Sequence, residues 1–570
     1  MDYTSKPDAA VHHSASHLTV LTAWLERRCR ALALLVVLLF TLSGIFTLGD
    51  YGLAWDEGLG NLFLGERYFY YYQHFQQKYL DFKAELDIHE NLPLNTFHSP
   101  MRDYPHEFPP VMDTLSAASM HLVSYRLGWL PPISAFHLPT VLLAGIFLWL
   151  LYRFAARRLS RLAGFLAMLF LATFPRFWGD MHFNIKDVPE TILFGMVIMA
   201  YLAWYEKPKW WRALGTGALF GLALGIKANA GFLPLLLILG VWPLGWKTAH
   251  IKAILQHLWS SLPHYLGMAL SGGLVYFISW PYLYDDPLRV KKYFDYILSQ
   301  GGRSAGDGLN TQPLLMTLFT TPEWMFLFLL AGLFFAGQAV WRARHAQPAA
   351  GRIPIHRLLI VWFLFPILRT SLPGMVNFDG IRHFMEFVPG AALLAGFGAA
   401  SLIQALSKGR AARQFVLGTL VVAGLALQTL WIAAAYRPYE YLYFNSLTGG
   451  FSGAYARFGD KEACDYWGVS YPRGMQWLNE NAPPGSVLYV PVAEWLVQIQ
   501  APVSLRADID FLPRDSLHLL NQPGRSSYVM FITRSGFYED IALECIERLQ
   551  PIHQIELDGI PLQQIYRWEP

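Results

Sequence analysis

Ala31-Leu-Ala-Leu-Leu-Val-Val-Leu-Leu-Phe40-Thr-Leu-Ser-Gly-Ile-Phe-Thr-Leu48 is followed at once by Gly49-Asp50-Tyr51-Gly52-Leu53-Ala54-Trp55-Asp56-Glu57-Gly58. The first part carries no charge and is long enough for a helix to cross a bilayer, which takes roughly 17–25 apolar residues. Asp56 and Glu57 then stand where that helix leaves the membrane. Two adjacent carboxylates there are poorly placed for packing and well placed for chemistry at the lipid–water boundary. Ahead of the run come Glu26-Arg27-Arg28-Cys29-Arg30. A basic flank before an apolar core resembles a secretory signal, but no small-residue cleavage site follows and the polar lead is long. The pattern predicts a retained signal-anchor helix with a cytoplasmic tail, residues 1–30.

Comparable runs recur near 31–48, 136–153, 162–178, 188–205, 212–226, 230–246, 262–281, 323–341, 357–372, 384–406 and 413–435, eleven in all. With the N-terminus inside, the cytoplasmic connections are Arg153–Arg161, Glu206–Arg212, Trp246–His257, Arg342–Arg357 and Lys408–Arg413. They are short and mostly basic, so the positive-inside pattern repeats at every second connection. The stretch 107–130 is apolar enough to tempt a further span. It holds Asp113, His121 and Arg126, which are expensive at membrane depth, and reads instead as a helix lying at the interface.

Composition agrees with this class. The chain is 54% hydrophobic and 15% charged, against about a quarter charged in soluble domains. Its 39 Phe, 29 Tyr and 20 Trp suit a polytopic protein with aromatic interfaces. A net charge of +3 gives no case for nucleic acid. Cys29, Cys464 and Cys545 show no metal or redox spacing; Cys464 and Cys545 are either a pair or two separate buried thiols.

The polar side chains collect on one side. They lie in the loop 49–135, in 175–187, in the Gly- and Asp-rich loop 282–322, and in 370–383, which ends Asn377-Phe-Asp-Gly-Ile-Arg-His383. Residues 31–436 therefore form a membrane domain. Residues 437–570 hold no spanning run and read as a small α/β domain on the same side. Val487-Leu-Tyr-Val-Pro-Val and Ser527-Tyr-Val-Met-Phe-Ile-Thr read as strands, 538–549 as an amphipathic helix, and 552–568 as a hairpin broken at Asp558-Gly559.

Asp56 is the candidate general base, with Glu57 orienting it or lending a metal ligand; the plainer alternative is a helix-start pair. Asp187, with Pro189 and Glu190, opens an apolar helix, which is also an ordinary helix start. Arg176, Lys186, Lys227, Arg303, Arg382 and His383 are the cations available to hold a phosphate. Each alone is explained by snorkelling or an interfacial position. No HExxH, nucleophile elbow, Walker loop or dinucleotide fingerprint is present, so nucleotide use is not expected. A divalent metal on Asp56 and Asp187 stays open.

Trp55-Asp56-Glu57, His137-Leu-Pro-Thr to Arg158, Asn184-Ile-Lys-Asp-Val-Pro-Glu190, Gly221 to Lys227 and Gly380-Ile-Arg-His-Phe384 together resemble the GT-C glycosyltransferases. The likeness is to their polyprenyl-phosphate-dependent branch, which includes the protein O-mannosyltransferases and the lipid A aminoarabinose transferases. The resemblance implies a polytopic fold with an external C-terminal domain, set in a bacterial inner membrane. It implies transfer, with inversion, of a sugar from a polyprenyl-phosphate carrier to a lipid, glycan or protein acceptor on the outer face. Asp56 matches the family's first-loop Asp and Asp187 its second. His106, in His106-Glu-Phe-Pro-Pro110, and Arg303 stand where an acceptor or gating loop would be. A lipid-linked oligosaccharide polymerase or ligase is the nearer alternative and a secondary transporter the more distant one. A transporter would place its charges at mid-membrane depth rather than in external loops.

Overall fold

The computed structural model describes residues 29–84, 86, 92–94, 96–102, 108–241, 248–304, 308–345 and 355–569. The tail expected at 1–30 lies almost wholly outside them. Six helices among the described residues are long and apolar enough to cross a membrane: Cys29–Asp50, Pro132–Arg158, Asp187–Glu206, Glu323–Ala343, Phe387–Ser407 and Ala411–Tyr436. Several of the other expected runs form helices too, among them Arg161–Ala172, Trp210–Leu224, Leu233–Val241, Thr248–Ile278 and Ile355–Thr370. The chain is a multi-pass membrane protein. Its peripheral helices expose Leu34, Leu35, Leu38 and Leu39 at one edge and Phe415, Leu420, Leu427 and Leu430 at another. Such apolar bands suit contact with lipid tails.

Small residues bring the inner helices together, as expected where lipid offers no hydrophobic drive for association. A Cβ on Gly396 would come within 2.5 Å of the Ala163 carbonyl and the Ala167 amide. A Cβ on Gly221 would come within 2.2 Å of the Gly272 carbonyl.

Two ion pairs fix which helix ends share a side. Arg158 Nη1 lies 2.6 Å from Glu206 Oε1, so the basic turn after Pro132–Arg158 and the end of Asp187–Glu206 meet. Asp187 is at the opposite end of that same helix. Arg437 Nε donates to Asp50 Oδ2 at 3.0 Å, which joins the exit of the first helix to the exit of Ala411–Tyr436. The Asp56 loop and the C-terminal segment thus leave the helices on one side.

The segment expected at the interface is helical, α-wound at Val111–Ser119 and π-wound at Met120–Arg126. The loop 49–135 also holds the expected aromatic helix, Leu62–His74. The Gly-rich loop 282–322 is more structured than its composition suggests. It carries helices Arg289–Ser304 and Gln312–Thr320, the first laying Tyr293 into an aromatic cluster with Trp280 and Phe108.

The C-terminal part builds a five-stranded sheet from β1 (Val487–Tyr489), β2 (Asp510–Leu512), β3 (Ser527–Ile532), β4 (His553–Leu557) and β5 (Ile560–Trp568), in the order β2-β1-β3-β5-β4. The β1 pairings are parallel and those of β5 antiparallel. Asp558 and Gly559, with φ of 52° and 73°, make the two-residue turn between β4 and β5, the left-handed pair that a tight hairpin requires. Helix Asp540–Arg548 packs on the sheet. Cys464 and Cys545 are free, buried thiols, so the unpaired alternative is the one realised.

Candidate active site

Asp56 lies in the first turn of a helix that begins at Trp55 and is π-wound over Glu57–Asn61 before continuing as Leu62–His74. Its carboxylate makes no capping bond. It pairs instead with Nη2 of Arg382. Asp187 opens its helix in the same manner without capping it. Its Oδ1 lies 2.6 Å from Lys227 Nζ, and its Oδ2 accepts from Arg382 Nε at 3.2 Å and from Asn184 Nδ2 at 2.9 Å. A helix start explains the position of both residues but not where their oxygens point.

Arg382 is the hub. Its third nitrogen, Nη1, lies 3.4 Å from Asp379 Oδ2, and the Trp467 ring covers the guanidinium at 4.1 Å. Burial would lower its basicity, but the carboxylates of Asp56, Asp187 and Asp379 outweigh that and raise it above the usual value. Asp379 is also held at 3.1 Å by Arg534, which follows β3. Burial pushes the Asp379 carboxyl up, against the pull of Arg534 and Arg382. Three carboxylates therefore face Arg382, Lys227 and Arg534, and the cluster balances its charge.

The loop carrying Arg382 is set by Asp379 and Gly380, with φ of 57° and 75°. Gly380 is needed twice over: its φ is left-handed, and a Cβ there would stand 2.3 Å from Arg176 Nη1. Below this turn Arg176 is buried. It donates to the Tyr443 carbonyl at 3.2 Å and the Tyr466 hydroxyl at 3.3 Å, and so supports the turn instead of lining the cluster. Glu462 Oε2 accepts from the Gly380 amide at 2.7 Å.

The remaining expected residues divide. Lys186 stands beside Asp187, but its ammonium is taken by Asp113 Oδ2 at 2.6 Å and the Pro109 carbonyl at 3.0 Å. Glu57 turns away from Asp56 to His137 Nε2 at 2.9 Å and the Ala54 amide. Burial pushes its carboxyl up, with His137 opposing. His383 presents a buried Nε2 with no partner among the described residues. Burial, with Lys227 and Arg382 nearby, pushes its imidazole well below the usual value, so it offers a hydrogen bond and not a charge. His182 is stacked on Tyr51 at 4.3 Å, and burial lowers it to about 4. His106 and the side chain of Arg303 lie outside the described residues.

Asp379, Arg534, Trp467 and Asp113 enter the site without having been singled out as site residues in the sequence. Asp379 had a visible signal in its place three residues before Arg382, and Asp113 in being a charge within an apolar stretch. Among the described residues no group of three or more His, Cys, Asp or Glu is arranged to hold a metal. Asp56 and Asp187 are bridged by a guanidinium, so the one pair considered for a divalent ion already encloses an organic cation. The arrangement does not fit a metal bridged by these two carboxylates.

Residues 109–277 match the family model described as dolichyl-phosphate-mannose-protein mannosyltransferase. That segment carries Asp113, Lys186, Asp187 and Lys227, and the match bears out the resemblance to the GT-C glycosyltransferases. No curated protein matches the chain in sequence. Among solved structures, ArnT from Cupriavidus metallidurans bound to undecaprenyl phosphate aligns at TM-score 0.48 and 14% identity, over 96% of this chain and 98% of that one. The apo oligosaccharyltransferase of Archaeoglobus fulgidus aligns at 0.44 and 12%, over 89% and 69%. Arabinofuranosyltransferase AftD from Mycobacteria aligns at 0.39 and 14%, over 95% and 40%.

Proposed function

We propose that the chain is a membrane glycosyltransferase that moves a sugar from a polyprenyl-phosphate carrier to an acceptor hydroxyl on the outer face, with inversion. The observation that carries this reading is the single cluster of Asp56, Asp187, Lys227 and Arg382. These residues come from four separate parts of the chain and meet at helix ends on one side. The family match over 109–277 supports a phosphate-borne sugar donor.

The chemistry follows from the residue types. The acceptor oxygen attacks the anomeric carbon from the face opposite the phosphate. The carbon–oxygen bond to the carrier breaks, and its electron pair leaves on the phosphate. Lys227 and Arg382 match the charge that develops there, as preorganised dipoles and cations do. Asp56, with 35% of its side chain exposed, is the carboxylate open to an acceptor and takes its proton. Asp187, buried at 1%, holds the two cations in place. Glu57 and His137 fix the turn that presents Asp56. Residues 437–570 close the site from outside through Trp467 and Arg534, and the fold is oriented with its basic turns in the cytoplasm.

The test is mass spectrometry of lipid A, glycans and envelope proteins from cells with and without the gene, followed by transfer from a synthetic polyprenyl-phosphate sugar by the purified protein. A sugar lost from one acceptor and restored in vitro supports the reading. An unchanged envelope together with no transfer to any acceptor fraction contradicts it.

A further inference from the structure

Arg382 is committed on three sides, to Asp56, Asp187 and Asp379, and Trp467 covers its face. A phosphate cannot take up this guanidinium without displacing a carboxylate. Asp187 is buried at 1% and is also held by Lys227 and Asn184. Asp379 is at 5%, held also by Arg534 and fixed in a left-handed turn. Asp56 is 35% exposed, and among the described residues Arg382 is its only side-chain partner. The other charges nearby give it no second anchor. Glu57 is turned to His137, and Arg534 lies over the Trp55 ring at 4.5 Å and reaches Asp379.

We infer that the donor phosphate displaces Asp56 from Arg382, so that donor binding is the event that releases the catalytic base. This rests on the reading above of a phosphate-borne donor. A carboxylate whose oxygen is held by a guanidinium is not turned to an acceptor hydroxyl. The resting protein therefore holds its base silent. The phosphate takes the vacated Nη2, and Asp56 turns toward the acceptor side. The donor binds first and the acceptor second. Phosphate and Asp56 compete for one group, so each must weaken the other's hold on it.

The test measures binding of a sugar-free polyprenyl phosphate to the full-length protein in nanodiscs. Asp56→Asn removes the competing charge and is expected to tighten binding by about tenfold. Arg382→Gln is expected to weaken it by at least about tenfold. Asp50→Asn removes a carboxylate paired with Arg437 outside the cluster and is expected to leave binding unchanged. A structure of the native complex is expected to show phosphate oxygen on Arg382 and Asp56 detached. Asp56→Asn binding no tighter than native while equally stable, equal tightening by Asp50→Asn, or a complex with Asp56 still on Arg382 would each overturn the release and leave glycosyl transfer standing. Absence of binding by the native protein would overturn both.

Discussion

The ammonium of Lys227 lies 2.6 Å from Oδ1 of Asp187, although Lys227 interrupts an apolar stretch where snorkelling would have been the simpler fate. The pair is mostly buried, at 20% and 1% exposure, so its members depend on each other. Removing one partner of a buried pair leaves a desolvated charge and costs about 3–5 kcal/mol. Asp187→Asn is expected to lower stability by about 3 kcal/mol, because two cations lose their counterion together. Denaturation of the purified protein in detergent checks this. Asp187→Asn with Lys227→Met should recover part of the loss, and a double variant no better than the single would contradict the pairing.

Orientation is a second expectation. The basic turns and the site lie at opposite ends of Asp187–Glu206, and the proposed topology puts the turns inside. Reporter fusions at Arg410 and at Pro570 should give opposite signals. Matching signals would contradict the topology and the outer-face site with it.

Glu462 gives a pH dependence. Burial pushes its carboxyl from an ordinary 4.5 up to about 7, with the Gly380 amide opposing. A carboxyl raised in the folded state contributes stability below its unfolded value and loses that contribution as pH rises through its folded value. The melting temperature is therefore expected to fall between pH about 5 and about 7.5, and to fall less in Glu462→Gln. Parallel pH curves for the two proteins would contradict this.

Much of this was legible in the sequence because polar residues at the ends of apolar runs stand out. Asp56, Asp187, Lys227 and Arg382 all do so, and the structure brings them together. Their partners were hidden for physical reasons. Arg534 lies 155 residues from Asp379, and nothing local marks an ion pair formed over such a separation. Arg176 looked like a phosphate ligand because it is a cation in a charged loop. Its burial under Gly380 depends on a backbone turn that only the folded chain reveals. The strand β2 spans three residues with one buried side chain, too short to show a period, and Arg289–Ser304 was masked by the glycines at its end. The π-winding at Glu57–Asn61, which sends Glu57 to His137 and leaves Asp56 at the cluster, has no sequence signature beyond Gly58 and Gly60.

His137 and Glu57 are positioning residues in this account. Glu57→Gln keeps a hydrogen bond to His137 and should reduce turnover by less than about tenfold, whereas His137→Ala opens the turn and should cost more, chiefly in kcat. Equal effects on kcat and on polyprenyl-phosphate affinity would point to general loosening of the fold.

Turnover by Asp56→Asn is the most direct test of the central claim. Asn keeps the size and hydrogen bonding of Asp and caps helices equally well, but it cannot take a proton. If Asp56 is the base, transfer from a polyprenyl-phosphate sugar by the purified variant should fall by about 10²–10⁴-fold, with melting temperature unchanged and donor still bound. Near-normal transfer by this variant would contradict the claim and leave Asp56 as a partner of Arg382 alone.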